Sequence, residues 1–474
     1  MLPRYTAEAL KKPRRLLKQF SWFFTGAFKM IRIQKASQIE EQFFAARDFG
    51  EPAASVSAIL KDVKLRGDDA VREYSGKFDA ASPFHFEIPA ETLQVCAEKM
   101  RRENSALYDS ICYSRDLAVR FAKKQRESFD DFEIELESGI FTGQKTIPVE
   151  RAGLYVPAGR FPLVSTVIMT SSPAVAAGVK EIILCTPPRP HPDGTDSAYA
   201  DESIMAAAHL CGIRRVFACG GAQAIAAMAF GTQTVPAADV IAGPGNKFVA
   251  EAKKLVYGTV GIDMIAGPTE VFIIADRTAN PEWVAADLLA QAEHDSVAQP
   301  VLATDDEPFA RAVAEEIERQ LETLPTKATA GQSISAFGRI IITENLAQAA
   351  EIANRKAPEH LELAMAEGEE RDRMQSLVRN YGSLFIGHGA AEVFGDYAAG
   401  LNHTLPTSGS ARFTGGLSVR AFLKTVTTLR TDNAQPGAQR SAEAAVCLGE
   451  AEGLAAHANA ARLRLRSSET EREK

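Results

Sequence analysis

Between Gly153 and Gly258 the chain alternates four times between a short apolar run and a small-residue helical run. GLYVPA is followed by STVIMTSSPAVAAGV, KEIILCTPP by SIMAAAHLCGI, RRVFACGG by AQAIAAMAFG, and DVIAGPGN by KFVAEAKKLVYG. Runs of this length, punctuated by Gly and Pro, read as strands and helices in succession. That succession builds a parallel sheet covered by helices, a doubly wound α/β domain. One polar insertion, RPHPDGTDSAYADE (189–202), reads as a loop. Ligands of such sheets sit at the C-terminal ends of the strands. Three turns fall there: Tyr155–Gly159, Gly220–Gln223 and Gly243–Asn246. Each places backbone N–H groups at or near a helix start, which suits a phosphate. A GxGxxG fingerprint is absent, and no acidic residue stands at the ribose spacing. A dinucleotide site and plain βα turn chemistry both remain open on these turns.

The flanks supply a second unit. Residues 30–120 carry apolar residues at helical spacing, and from Glu133 the pattern changes to alternating, β-branched runs. TEVFIIAD (269–276) reads as a strand, PEWVAADLLAQAEH as a helix, EPFARAVAEEIERQLETLP as a helix and GRIIITEN as a strand. LAQAAEIANRKAPEHLEL reads as a helix broken at Pro358, with Glu359 and His360 just beyond. A second α/β domain, assembled from both sides of the first, follows. The Gly-rich stretch within 383–409 is longer than an ordinary loop and holds Asp396 and His403, which favours a functional loop. The tail ends in an Ala-rich helix with Glu452 and His457.

Composition narrows the class. At 474 residues there is room for two or three domains. The net charge of −8 argues against a general nucleic-acid binder. No apolar run approaches the about 18 residues of a spanning helix. Six scattered cysteines without a CxxC pair read as buried thiols of a reduced, cytoplasmic protein. Residues 1–29 hold seven Lys/Arg against Glu8 and end in FSWFFTGAF. They match a secretory signal poorly. They read as a basic amphipathic extension or as sequence ahead of the true start, and stand outside the fold argument.

Gln291 and His294 lie three residues apart, so on a helix they share a face. They read either as half of a metal site or as a solvated helix end. Glu359 and His360 are placed as adjacent bases. His85, His191, His209 and His388 read as surface or hydrogen-bonded histidines. A Gln, two His and an Asp would make a set of four N/O donors suited to zinc, though spacing does not assign such a set.

Eight motifs then occur in a fixed order: GLYVPAG, GGAQAIAAMAFGT, AGPGNKFVAEAK, IDMIAGPTE, LLAQAEHDSVAQ, APEHLEL, GDYAAGLNHTLPTSG and AEGLAAHANAARLR. Together, over roughly 30–466, they resemble the histidinol dehydrogenase family. The resemblance implies two incomplete Rossmann-like domains with parallel sheets and a small helical C-terminal arm exchanged across a homodimer. On that basis 30–153 and 269–415 form one discontinuous domain that includes the N-terminal helices, 154–268 the other, and 416–474 the arm. It implies NAD-linked oxidation of L-histidinol through L-histidinal to L-histidine, around one zinc per site. Carried over by motif, Gln291, His294, Asp396 and His457 would be zinc ligands, the last from the partner. Glu359 and His360 would be catalytic, and Tyr155, Gln223 and Asn246 would contact NAD. Thr269, His403 and Glu452 would contact substrate, together with Gln291, His294, His360, Asp396 and His457. No nucleic acid or membrane partner is expected. Thr269 stands where the family often has Ser. TSSPAVAAG (170–178) and TGGLSVRAFLKTVTTL (414–429) also depart from the common pattern, and some relatives that oxidise other alcohols, such as sulfonated diols, share a Thr-Gly-Gly-Leu stretch.

Overall fold

The computed structural model describes residues 31–45, 52–158 and 162–470. The basic extension 1–29 and Gly159 lie outside them. The βα series forms a six-stranded sheet in the order Glu87–Ile88, Arg215–Ala218, Glu181–Thr186, Arg151–Tyr155, Val240–Ala242, Gly261–Ile262. Its strands are parallel except for the edge strand Glu87–Ile88. Helices cover both faces, so the central strands are apolar along their length rather than alternating.

A second six-stranded sheet is parallel throughout, in the order Arg32–Lys35, Arg339–Ile342, Gln299–Thr304, Glu270–Ala275, His360–Ala364, Ser383–Ile386. The chain starts on its edge, builds the first sheet, and returns to complete it. A small antiparallel sheet joins Phe132–Glu137, Ile140–Pro148 and Leu423–Thr431. Two last helices, Pro436–Ala451 and Ala455–Thr470, form a hairpin. A Cβ on Gly449 would come within 2.9 Å of the Ala458 nitrogen, so a small residue there permits this close approach. Among the described residues no helix is long and apolar enough to cross a membrane.

Two expectations change. The helices at 53–66, 68–78, 90–103 and 105–126 pack on the first sheet, not on the discontinuous second one. Val56 and Val63 share a core with Ile225 and Ala226, and Leu93 and Ala97 share one with Ile204 and Ala207. Amphipathic spacing says that a helix has a buried face, not which sheet buries it. The segment after Pro358 is a strand: the helix ends at Lys356, Ala357 turns through φ 51°, and His360–Ala364 enters the second sheet. Its period is two, so Leu361 and Leu363 enter one core while His360 and Glu362 face the other way. The tail contributes the strand Leu423–Thr431 to the small antiparallel sheet.

Candidate active site

A cavity of about 1270 Å³ opens between the two large sheets. One wall comes from the C-terminal strand ends of the first sheet: Tyr155, Gln223 and Asn246 all line it. The other wall carries His294 and Asp396. All three glycine-rich turns singled out in the sequence therefore meet His294 and Asp396, two of the four residues expected as metal ligands.

The turns are tied together. The Tyr155 hydroxyl accepts a bond from the Gly221 N–H (3.1 Å), and Gln223 Nε2 donates to Asp79 (3.1 Å). Asn246 caps its helix, its Oδ1 accepting from Phe248 N (3.0 Å) and Val249 N (3.2 Å). Gly243 has φ 129°, and a Cβ there would lie 2.1 Å from the Tyr155 carbonyl oxygen. Only glycine lets these two turns touch.

Thr269, Glu270, Glu359 and His360 cluster at the opposite polarity, at the N-terminal ends of two neighbouring strands of the second sheet. One carboxylate oxygen of Glu359 accepts from the Thr269 hydroxyl (2.6 Å) and from the Glu270 N–H (3.0 Å). Burial, against the pull of His360 and of these donors, pushes the Glu359 carboxyl up to about 7. His360 Nδ1 lies 3.3 Å from the Glu270 carbonyl oxygen. A carbonyl only accepts, so Nδ1 carries the proton and Nε2 is the basic nitrogen. Nε2 is buried without a hydrogen-bond partner, 3.4 Å from Asp396 Oδ1. Burial opposes charge on His360, but the carboxylates of Glu359, Asp396 and Glu392 outweigh it and hold the ring well above the ordinary imidazole range.

His294 ends the helix Pro281–His294, and Asp396 lies in the short helix Glu392–Tyr397. Burial lowers His294, which favours the neutral imidazole. Burial would raise Asp396, but the nearby His360 ring prevails and leaves the carboxyl below its usual range. A neutral His and an ionised Asp are the forms a metal ligand must take. Gln291 lies one turn before His294 and is buried. Its neighbours orient its amide with the nitrogen donating to both Glu392 oxygens (2.9 and 3.0 Å) and the oxygen facing the Glu270 N–H (3.1 Å) and Thr269. Among the described residues no three His, Cys, Asp or Glu side chains of one chain surround a metal position. His457 and Glu452 are exposed on the C-terminal hairpin, and neither lines the cavity.

His403 braces the loop that follows Asp396. Its Nδ1 is 3.2 Å from the Asp396 carbonyl oxygen and its Nε2 3.5 Å from the Thr166 hydroxyl. The adjacent Asn402 donates to the Met169 carbonyl oxygen (2.6 Å). That carbonyl is vacant because Pro173, four residues on within the helix, has no N–H to offer it. Pro173 thus frees the carbonyl that anchors the His403 loop.

Sequence reasoning missed several buried charged groups. Glu362 and Glu392 lie beside the His360 face, with Asp287 from the helix of Gln291. Burial, then the Asp287 charge, pushes Glu362 up to about 8, and burial pushes Asp287 up to about 6. No local signal marked any of the three as buried.

Known proteins resemble this chain over nearly its whole length. The sequence profile described as histidinol dehydrogenase matches residues 45–465. A histidinol dehydrogenase from a Synechococcus species is 44% identical over 420 residues, covering 87% of this chain and 92% of that one. One from Aquifex aeolicus is 44% identical over 415 residues, covering 86% and 92%. The crystal structure of histidinol dehydrogenase from Elizabethkingia anophelis superposes with a TM-score of 0.84 at 35% identity, covering 92% of this chain and 98% of that one. These matches do not favour a dehydrogenase of some other small alcohol.

Proposed function

The chain belongs to the histidinol dehydrogenase family, an oxidoreductase of histidine biosynthesis, and on that premise we propose that the cavity between its sheets performs both oxidations of L-histidinol with two NAD and one zinc. The carrying observation is that His294 and Asp396 line the same cavity as Tyr155, Gln223 and Asn246. The N/O donor chemistry, the neutral His294, the ionised Asp396 and the unpartnered His360 Nε2 all fit a metal there. In this reading His294, Asp396 and Gln291 hold zinc together with His457 of a second copy. When bound, the metal would act as a Lewis acid that helps to position the substrate's nitrogen donors and to polarise the reacting centre.

The residues of the chain then divide the work. His360 Nε2 takes the alcohol proton as hydride leaves the carbinol carbon for the dinucleotide. The ring is oriented for this by the Glu270 carbonyl. Its raised basicity owes part to Asp396, a share that a metal held by Asp396 would reduce. Glu359 takes a proton from water, which adds to the aldehyde carbon while the protonated His360 returns its proton to the aldehyde oxygen, giving the hydrate and freeing Nε2. His360 accepts the hydrate's hydroxyl proton as the second hydride leaves, and the carboxylic acid that forms ionises to the carboxylate. Thr269 holds Glu359 throughout. His403 and Glu452 complete the substrate contacts, Glu452 from the second copy. The cavity between the sheets retains the reactive aldehyde between steps.

Purified protein is expected to form two NADH per histidinol. Zinc chelation should abolish turnover, and His294→Ala should lower bound zinc measured by elemental analysis. Absence of NADH from histidinol, with turnover of another alcohol, would sink the reading.

A homodimer is the second part of this proposal. Phe132, Ile134 and Leu136 share one face of an outer strand and are at least half exposed, and Leu448 and Leu463 on the C-terminal hairpin are similarly bare. A second copy is the occupant that would cover them and bring His457 to the site. His294→Ala and His457→Ala are each expected to be inactive. After subunit exchange the mixture should regain about a quarter of wild-type activity, because half of random pairs restore one site of two. Exchange without recovery would refute the shared site.

A further inference from the structure

We propose that Lys253 and Asp263 are positioning residues that clamp the Gly243–Asn246 turn in the shape that receives the dinucleotide. Lys253 belongs to the helix Lys247–Val256, and Asp263 follows the edge strand Gly261–Ile262. Their side chains form a direct ion pair and are 2% and 0% exposed. Both reach the same residue. Lys253 Nζ donates to the Gly243 carbonyl oxygen (2.9 Å), and Asp263 Oδ2 accepts from the Gly243 N–H (2.8 Å). The second Asp263 oxygen accepts from Met264 N (2.6 Å). The peptide units on either side of Gly243 are thus fixed by one buried pair.

Stability alone is a weak reason for such a pair. Taking two charges out of water costs about as much as their attraction returns, and apolar residues of the same volume often serve the fold as well. What apolar residues cannot do is hold a carbonyl and an N–H in place. Gly243 needs that hold: its φ of 129° suits only glycine, and glycine leaves the backbone free to turn elsewhere. The turn it controls rests on the Tyr155 carbonyl and ends at Asn246. With Asn246 Oδ1 committed to capping, its amide nitrogen is the donor presented to the cavity. A turn free to rotate at Gly243 would carry both Asn246 and the contact with Tyr155 out of register.

The inference rests on the reading that this turn carries the dinucleotide, and Asn246→Ala tests that reading separately. NAD affinity by calorimetry, KM and kcat are compared for Asn246→Ala, Asp263→Asn, Lys253→Met and the double variant Lys253→Met/Asp263→Leu. The double variant leaves no unpaired buried charge and keeps the fold even where a single variant does not. Asn246→Ala and the double variant are expected to weaken NAD binding about tenfold, the scale of one lost hydrogen bond. At saturating NAD, kcat should stay within about threefold, and KM for histidinol should not move, which a general loosening of the fold would not produce. If Asn246→Ala leaves NAD affinity unchanged, the reading of the turn is wrong. If Asn246→Ala weakens NAD but the folded clamp variants do not, the clamp is wrong. Failure of both Asp263→Asn and the double variant to fold would make the pair a folding element and overturn the proposal.

Discussion

His360→Ala is expected to stop both oxidations, each slowed on the order of 10³-fold, with the fold intact. General-base catalysis by a placed imidazole contributes about 10²–10⁴, and the same nitrogen is asked to act twice. Nδ1 is held by the Glu270 carbonyl, so Nε2 has no competing role. The ring opens a strand whose hydrogen bonds are made by the backbone, and those survive the substitution. Rapid-mixing measurement of NADH, starting once from histidinol and once from histidinal, separates the two steps. If either step survives at more than about a tenth of its rate, the single-base assignment is wrong.

Glu359→Gln should divide the steps. The first hydride transfer should fall by no more than about threefold, and the second by about 10² or more, because only the second needs an activated water. Glutamine keeps an oxygen for the Thr269 hydroxyl and the Glu270 N–H, so the local packing holds. The pH dependence follows from the carboxyl at about 7. Activation of water needs the ionised form, so in the wild type the second step slows as pH falls through about 7, and Glu359→Gln lacks that acid limb. Equal loss in both steps, or an unchanged acid limb in the variant, would contradict the assigned role.

The two sheets were largely legible in the chain because their signals are local. A buried parallel strand such as KEIILCT, between glycines and small-residue helices, announces itself within ten residues or so. The site was legible only through the order of its motifs. His294 and Asp396 sit on separate segments that nothing in the intervening spacing brings together. APEHLEL looked helical because it continues a helical run. Pro358 and the left-handed Ala357 decide otherwise, and they convert Glu359 and His360 into the opening of a strand. Lys253, Asp263 and Glu392 carry no sequence signal of their own, although Lys253 and Asp263 lie within the ordered motifs. Their burial is a property of the packing. The N-terminal helices show the same limit: their apolar faces were plain, but not which sheet would cover them.

The opposed strand polarity of the two walls has a consequence for the order of events. The turns proposed for the dinucleotide close the tops of one sheet, while Glu359 and His360 start at the bottoms of the other. Each ligand in the proposed reaction is therefore moored to a different sheet. A reduced carrier can depart from its own quay and a fresh one can dock while the half-oxidised intermediate stays tied up opposite, so the reaction needs two berths rather than two sites.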